Sequence, residues 1–280
     1  MQFIFSTGSL YTYGIDRCFA LAEAAGFDGI ELMVDQRWDT RQPEYLRKLS
    51  AQHGQPIRAV HSPFGAVPGW PKDEVDRIAE SVKLAEAVEA QVVVHHLPFR
   101  GDWVWVRVGD RRWPLPLPWE RQHQAYRRWL LGGYFALQSQ TKVRLCIENM
   151  PARQALGRRW NVCQWNSVAE MARFPTLTLD TTHLGTWGLE PSAVYAQLKR
   201  RVRHIHLSNF DGREHRLPEK GHLALDRLLA QMARDGYEGV ISLELHPDAV
   251  GAGEPEAQIV ARLRESLRCC REWAGSGFGG

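Results

Sequence analysis

Eight short runs of apolar or β-branched residues, separated by stretches with helical periodicity, are the feature that most limits how this chain can fold. Between the first two runs, Ile15, Phe19 and Ala22 share one face of a predicted helix that Gly26 would end. A regular alternation of strand and helix favours parallel strands joined by right-handed crossovers, and eight such units close a barrel. The prediction is therefore a single α/β domain, a (β/α)8 TIM barrel. The predicted strands are 2–6, 29–33, 57–63, 91–97, 143–149, 177–183, 202–208 and 240–246.

An open, doubly wound sheet is the alternative arrangement for strands and helices in this order. Such a sheet usually carries a glycine-rich phosphate-binding turn after its first strand, and the sequence TGSLYTYG at 7–14 is a poor match. The 280 residues, 44% of them hydrophobic, are enough for one barrel and require no second domain. We expect the barrel to occupy residues 1–274 and the glycine-rich tail 275–280 to be flexible.

Residues 99–119 interrupt the alternation after the fourth predicted strand and are rich in tryptophan, arginine and proline. The sequence WVWVRVGD predicts a hairpin with its turn at the GD pair, followed by a proline-rich return. Loops that follow strands lie on the catalytic face of a barrel, which favours a lid. A hairpin that packs on the surface through its own tryptophans is an equal alternative.

Charge and cysteine content limit the compartment and the partners. A net charge of +3 is too small to indicate a nucleic-acid or anionic-membrane partner by itself. The five cysteines lack C-x-x-C spacing, which favours a reducing cytoplasm over a disulfide-bonded exterior. The first residues do not form a signal peptide, and no run approaches the roughly 18 apolar residues of a membrane span. We therefore expect a cytoplasmic protein without a membrane partner.

Polar residues occupy one face near the ends of the last four predicted strands. They alternate with aliphatic residues, as Glu148 does with Leu145 and Ile147, so the polar faces converge inside the barrel if the aliphatic faces pack against helices. Three carboxylates in a small volume repel one another unless a cation neutralises them, and mixed oxygen and nitrogen ligands suit Mn²⁺, Mg²⁺, Co²⁺ or Zn²⁺. The predicted metal cluster consists of Glu148, Asp180, His206 and Glu244.

Further polar residues in the other strands are candidates for binding substrate beside this cluster. Glu31, His61 and His95 follow aliphatic residues in the phase expected to point inward, and His183 stands where the sixth predicted strand ends. His96 would then point outward, unless a β-bulge exchanged the two adjacent histidines. Their position at strand ends favours a functional role over burial as core histidines.

Several short motifs stand in a characteristic order along the chain: HSP at 61–63, VVVHH at 92–96, IEN at 147–149, DTTH at 180–183, HIHLSN at 204–209, RLPEKGHL at 216–223 and LEL at 243–245. With them, essentially the whole chain resembles the xylose-isomerase-like barrels, which include sugar isomerases and epimerases and the abasic-site endonucleases. The order and spacing of the motifs are specific for this superfamily and much less specific for the reaction.

The resemblance to the epimerase-like members implies that the predicted metal cluster holds one divalent metal ion per chain. It also implies that Glu148 and Glu244 act as an acid/base pair on two sides of a substrate carbon, while the metal polarises the carbonyl and hydroxyl oxygens. His183 and one arginine of the segment DGREHRLPEKG would bind substrate oxygens. Either Arg213 or Arg216 could take that role.

The resemblance to the endonuclease-like members implies a larger ligand set for three zinc ions. One ligand of that set is missing, because those enzymes have an aspartate two residues before the histidine at 215, and Arg213 stands there in this chain. This departure argues against a full trinuclear site and leaves two metals open. The positions that match the larger set are His61, His95, Glu148, Asp180, His183, His206, His215 and Glu244.

The leading expectation is therefore a metal-dependent isomerase or epimerase of a sugar, a sugar phosphate or a related hydroxy-carbonyl compound. The alternative is a metal-dependent phosphodiester hydrolase of the abasic-site endonuclease type, which the arginines and tryptophans of residues 99–119 favour because such side chains bind nucleic-acid backbones and bases. A barrel without catalysis is disfavoured, because buried carboxylates without a metal would cost stability. The expected partner is a small carbohydrate-like molecule, and a nucleic acid and a homo-oligomer are left open.

Overall fold

A computed structural model of the chain describes residues 1–101, 103–108, 111–116, 123–155 and 157–276. Residues 109–110, where the sequence predicts a turn, the stretch 117–122 and the end of the tail at 277–280 lie outside the described residues. Within the described residues, no helix has the length and apolar content needed to cross a membrane.

Eight parallel strands close into a barrel, which confirms the predicted fold class. Around the barrel the order is β1, β2, β3, β4, β7, β10, β11 and β12, with β12 pairing again with β1. The strands of the described chain are β1 Gln2–Ser6, β2 Ile30–Met33, β3 Ile57–His61, β4 Val92–His96, β5 Trp103–Val108, β6 Arg111–Pro116, β7 Arg144–Glu148, β8 Arg153–Ala155, β9 Arg158–Trp160, β10 Leu177–Asp180, β11 Val202–Leu207 and β12 Val240–Leu243.

Helices connect the barrel strands. Helix α1 ends as the sequence predicts, because Gly26 adopts a left-handed conformation with φ of 89° and its N–H donates to the carbonyl oxygens of Ala22 and Glu23. The helices are α1 Ile15–Ala25, α2 Pro43–His53, α3 Glu74–Ala87, α4 His123–Leu131, α5 Gly133–Gln140, α6 Val168–Met171, α7 Thr181–Trp187, α8 Pro191–Leu198, α9 Leu225–Arg234, α10 Pro247–Val250 and α11 Glu256–Gly275, with short 3-10 helices at Thr7–Leu10 and Trp38–Arg41.

Seven of the eight predicted strands extend beyond the observed ones, five of them by one or two residues and two by three. The strand predicted at 177–183 ends at Asp180, because the Asp180 carboxylate accepts the backbone N–H of His183 at 2.7 Å and caps the start of α7. Likewise β12 ends at Leu243, one residue before Glu244. His183 and Glu244 therefore extend from the rim of the barrel rather than from within a strand.

The barrel has an inner and an outer packing layer. Leu145 and Ile147 of β7 belong to the large core between strands and helices, whereas Cys146 between them packs inside the barrel. Alternation along the strands therefore separates the residues that face the helices from those that face the barrel axis. The inner apolar cluster consists of Ile4, Ala59, Val92, Val94, Cys146 and Val240.

The segment after β4 contains an antiparallel hairpin formed by β5 and β6. Its base is joined to the segment that follows β9 by two backbone hydrogen bonds, from Arg100 N–H to the Val162 oxygen at 2.7 Å and from Gln164 N–H to the Pro98 oxygen at 2.8 Å. The base of the hairpin is thus fixed to the end of the barrel where β4 and β7 finish.

Candidate metal centre

Four side chains from four neighbouring strands converge at the carboxyl end of the barrel. Glu148 and Asp180 are the last residues of β7 and β10, His206 lies near the end of β11, and Glu244 directly follows β12. One ligand atom from each of the four lies within 4.8 Å of the others. Glu148, Asp180 and His206 are at most 1% exposed, and the Glu244 side chain is 12% exposed. The structure thus brings together the residues of the predicted metal cluster.

The His206 ring lies at the centre of this cluster. Its Nδ1 is 2.9 Å from Glu148 Oε1, 3.0 Å from Glu244 Oε2 and 3.8 Å from Asp180 Oδ2. Its Nε2 points the opposite way, to Glu31 Oε2 at 3.1 Å. Nδ1 of His206 is therefore available to a metal ion shared with the three carboxylates, whereas Nε2 contacts Glu31.

The electrostatics of the cluster fit a cation. Burial and the negative charges of Glu148 and Glu244 hold the pKa of Asp180 well above its usual value. Burial alone would lower the pKa of His206, but the surrounding carboxylates, led by Glu244, raise it well above its usual value. Within the described residues, Asp180 Oδ2 is buried without a hydrogen-bond partner. A divalent cation held by these four side chains would satisfy that oxygen and offset the repulsion between the carboxylates.

A second group of atoms that could ligate a metal ion lies on the other side of the Glu148 carboxylate. His96 Nε2 is 3.3 Å and His61 Nε2 is 3.5 Å from Glu148 Oε2. His61 Nδ1 is 2.8 Å from the Ser62 carbonyl oxygen, so Nδ1 carries the proton of a neutral ring and Nε2 is free to accept or ligate. Within the described residues these three atoms have no hydrogen-bond partner. Ligand atoms of His61, Glu148 and His206 lie within 4.8 Å of one another and could hold a second cation.

The expectation that His95 faces the site is wrong, and His96 takes that position. His95 is fully buried on the helix side of β4, where its Nδ1 donates to the Tyr126 hydroxyl at 2.8 Å. Burial lowers its pKa to about 3, so the ring is neutral. No β-bulge is needed, because Val92 and Val94 point inward and His96 continues their phase.

Glu31 points inward as expected but does not reach the substrate side of the cluster. It is fully buried and lies 2.5 Å from His204 Nε2 and 3.1 Å from His206 Nε2. In the sheet Glu31 is level with Ala59, two residues before His61. Alternation indicated the correct face of β2 but not the depth along the barrel axis.

His183 and His215 border the cluster on the side of α7. His183 Nδ1 donates to the Asn149 carbonyl oxygen at 2.8 Å, and burial lowers the pKa of this ring to about 4. The two rings lie edge to face with centroids 5.5 Å apart, and both can share an ion with Asp180. His215 has a φ of 57°, a left-handed conformation that no short-range sequence pattern predicts.

The structure separates the two candidate arginines. The Arg213 side chain is 70% exposed and its Nη2 lies 3.2 Å from Asp211 Oδ2. Arg216 is 15% exposed, with its Nε 3.8 Å from the same carboxylate. Neither arginine is among the described residues that line the cavity beside the cluster.

This cavity has a volume of about 380 Å³ and is open to solvent. His215 and Glu244 form its polar wall next to the cluster, and Tyr11, Met33 and Phe64 contribute to the apolar remainder. The Phe64 side chain is 66% exposed and its ring stacks on His96 with centroids 4.0 Å apart. No sequence pattern indicates a role for Phe64, because its contact with His96 depends on the pairing of β3 with β4.

The protein is an α/β barrel of eight parallel strands, with carboxylates and histidines that could hold a metal ion clustered at its carboxyl rim. The family model described as xylose isomerase-like TIM barrel matches residues 19–273, and the chain belongs to this family.

Curated relatives include two mycobacterial proteins that are described as uncharacterised. One, from Mycobacterium tuberculosis, is 25% identical over 284 residues, which cover 92% of this chain and 94% of the relative. The other, from Mycobacterium leprae, is 25% identical over 292 residues, which cover 96% of each chain. These relatives extend over nearly the full length of the chain.

Solved structures of similar fold include two epimerase-like proteins and one endonuclease-family protein. A D-tagatose 3-epimerase-like protein has 19% identity and a TM-score of 0.67 over 99% of both chains. A 3-keto-D-glucoside 4-epimerase from E. coli has 17% identity and a TM-score of 0.65, covering 97% of this chain and 99% of its own. An AP endonuclease, family 2, from Brucella melitensis has 15% identity and a TM-score of 0.65, covering 92% and 96%. At these identities the similarity shows a shared fold.

Proposed function

We propose that this protein is a divalent-metal-dependent isomerase or epimerase of a sugar or a related hydroxy-carbonyl compound. The observation that carries the proposal is the buried cluster of Glu148, Asp180, His206 and Glu244, with one shared position facing His206 Nδ1. The similarity of the fold to that of a D-tagatose 3-epimerase-like protein and a 3-keto-D-glucoside 4-epimerase supports the same reaction class.

In the proposed reaction, the two glutamates transfer the proton. Around the barrel β10 and β11 separate β7 from β12, so Glu148 and Glu244 approach the cluster from two sides. One carboxylate removes the proton from the carbon next to the substrate carbonyl, and the other carboxyl group returns a proton to the opposite face or to the neighbouring carbon. The first outcome is epimerisation and the second is isomerisation.

The remaining residues hold the substrate and the metal. A divalent ion held by the four-residue cluster would polarise the substrate oxygens and stabilise the negative charge that develops when the proton leaves. His183 donates its Nδ1 proton to the Asn149 carbonyl, so its Nε2 is free to accept a hydrogen bond from a substrate hydroxyl. The apolar side of the cavity, which includes Phe64, excludes water from the part of the substrate that does not react.

Proton transfer can be tested without knowing the direction of the reaction. Ketohexoses, including D-tagatose and D-psicose, and a 3-keto-glucoside are incubated with metal-loaded protein in deuterium oxide, and NMR follows deuterium at the carbon next to the carbonyl. We expect incorporation with at least one substrate and a loss of about 10²–10⁴-fold in Glu148→Gln and Glu244→Gln at saturating metal. Glu238→Gln is the matched control, since Glu238 is exposed and precedes β12 at the other end of the barrel. Full exchange in either site variant would remove the proton-transfer roles.

The second group of possible metal ligands favours one other candidate function. His61 and Glu148, whose ligand atoms group with His206, could hold a second ion beside the first, and two ions a few ångströms apart suit hydrolysis of a phosphodiester. The similar fold of the endonuclease-family protein from Brucella melitensis is consistent with this alternative.

Metal content and salt dependence distinguish the two candidates. For the isomerase or epimerase we expect one ion per chain, and His61→Ala should keep it. Two ions in the wild type, falling to one in His61→Ala, would favour the hydrolase. A nuclease should also bind abasic DNA with an affinity that falls steeply as salt rises, because phosphate contacts release counterions.

A further inference from the structure

A fully buried carboxylate lies directly below the metal cluster and takes no part in it. Glu31 is on the inner face of β2, where neither its side chain nor that of His204 is exposed to solvent. Glu31 Oε2 lies 2.5 Å from His204 Nε2 and 3.1 Å from His206 Nε2, and the two rings are nearly perpendicular with centroids 5.0 Å apart. One carboxylate therefore bridges two histidines of the same strand.

This contact determines which ring nitrogen of His206 carries the proton and which faces the cluster with a lone pair. A carboxylate only accepts hydrogen bonds, so each Nε2 that faces Glu31 must carry a proton. A neutral His206 ring with a proton on Nε2 has its lone pair on Nδ1, the atom that faces Glu148 and Glu244 at 2.9 and 3.0 Å. Without Glu31, the proton could move to Nδ1 and block the metal position.

His204 in turn limits the movement of Glu31. It lies two residues before His206 on the same inward face of β11, one layer deeper in the barrel. Its Nε2 contacts the same Oε2 atom that accepts from His206. A glutamate with three rotatable bonds would otherwise be free to turn away from His206, so the second contact keeps the carboxylate in place.

We propose that Glu31 and His204 form a buried positioning pair that fixes the tautomer and orientation of His206 for binding the metal. This role of the pair requires the metal site of the proposed function but does not depend on which reaction the site catalyses. Neither residue contacts the substrate cavity, so both act through His206. Partners of this kind, behind a metal-binding histidine, typically change metal affinity by about 10–100-fold.

The test measures metal affinity in the absence of substrate. Mn²⁺ or Zn²⁺ is competed against a chromophoric chelator for the wild type, Glu31→Gln, His204→Gln and the exposed control Glu238→Gln. We expect about 10–100-fold weaker binding in Glu31→Gln, a smaller loss in His204→Gln and no change in the control. A Glu31→Gln protein that binds metal as tightly as the wild type would overturn the proposal.

A second measurement separates positioning from a general effect on folding and needs no variant. In ¹⁵N-labelled wild type loaded with ¹¹³Cd²⁺, we expect the metal coupling at His206 Nδ1 and a proton on Nε2. Coupling to Nε2, or metal binding that does not involve His206, would overturn the proposal even if Glu31→Gln fails to fold.

The outcomes also separate this pair from the proposed reaction. If the wild type binds metal through His206 Nδ1, loses affinity in Glu31→Gln and exchanges no proton with any sugar, the positioning pair stands and the isomerase or epimerase assignment fails. If the wild type binds no divalent metal, the pair has nothing to position and both fail.

Discussion

At the scale of single residues, the metal cluster is a set of buried groups whose protonation opposes metal binding. Burial and two neighbouring carboxylates raise the pKa of Asp180, and three carboxylates outweigh burial to raise that of His206. Both groups therefore hold protons at pH values where an exposed aspartate or histidine would have lost them. A metal must displace these protons, because only the deprotonated groups are ligands.

The first prediction concerns the pH dependence of metal binding. Apparent Mn²⁺ affinity should rise with pH and continue to rise above about pH 6.5, the usual pKa of histidine, because the raised pKa of His206 keeps its proton in place there. Chelator competition at about pH 6, 7 and 8 measures the trend. An affinity that levels off by about pH 6.5 would show that His206 titrates normally and contradict the prediction.

The second prediction is that the ionised Asp180 side chain lowers the stability of the metal-free protein although it is needed to bind the metal. A raised pKa means that folding favours the protonated form of Asp180, so this residue contributes stability at low pH that is lost as the pH rises. Asp180→Asn removes the charge and keeps a residue able to cap α7. Metal-free Asp180→Asn should be more stable than the wild type at about pH 8, by about 1 kcal/mol, and the difference should disappear near pH 4.

Urea unfolding at both pH values, with chelator competition on the same samples, tests this prediction. We expect Asp180→Asn to bind metal at least about tenfold more weakly while gaining stability without it. A variant that loses stability at about pH 8 would show that ionised Asp180 is compensated by the protein itself.

At the scale of secondary-structure elements, the ends of the barrel strands determine which residues meet. Asp180 caps α7, and this ends β10 and directs His183 back over the cluster. The connection before a strand also constrains the backbone, and Gly29 lies immediately before β2.

The third prediction is that Gly29→Ala strongly destabilises the barrel. Gly29 has a φ of 152°, and a Cβ atom there would lie 2.4 Å from the Pro56 carbonyl oxygen. We expect a loss of about 2 kcal/mol or more in the free energy of unfolding, measured with urea on metal-free protein. Gly65→Ala is the matched control, because its added Cβ meets open space, and it should stay within about 0.5 kcal/mol of the wild type.

The fourth prediction tests the lid, which remains a proposal for the hairpin of β5 and β6. The hydrogen bonds at its base involve residues 98–100 and 162–164, so they can persist when residues 103–116 are replaced by a short Gly-Ser linker. We expect this variant to fold and bind metal as the wild type does, with a KM raised several-fold for the best substrate because the site is less enclosed. An unchanged KM and kcat would rule out a lid, and loss of folding would show that the hairpin completes the core.

At the scale of the whole molecule, metal binding should be visible as stability. A ligand that binds only the native state at about 100 times its Kd adds about 2.7 kcal/mol, which corresponds to roughly 5–10 °C in Tm for a chain of this size. Our fifth prediction is that saturating Mn²⁺ or Zn²⁺ raises the Tm by about this amount and that a chelator reverses the change. Asp180→Asn should lose most of the shift, and an equal shift in that variant would mean that the ion binds elsewhere.

Features that depend on local periodicity could be predicted from the amino-acid sequence. Eight apolar runs with helical stretches between them predicted a barrel, because eight alternating strand–helix units close one. Successive side chains along a strand point to opposite faces. For β7, where Leu145 and Ile147 mark the outer face, this alternation was enough to identify Glu148. The order of the motifs also predicted the family to which the chain belongs.

The phase of β4 and the depth of Glu31 in the barrel depend on pairing between strands and could not be predicted in this way. The run VVVHH is apolar at three successive positions, so alternation cannot tell which valines face the barrel axis. Pairing with β7, which sets Val94 beside Cys146 and His96 beside Glu148, resolves this through contacts about 50 residues apart in the chain. Likewise, the register of β2 with β3 puts Glu31 a layer below the cluster. The physical reason is the same in both cases: periodicity along one strand fixes the face of a side chain, whereas its level and neighbours depend on the strands beside it.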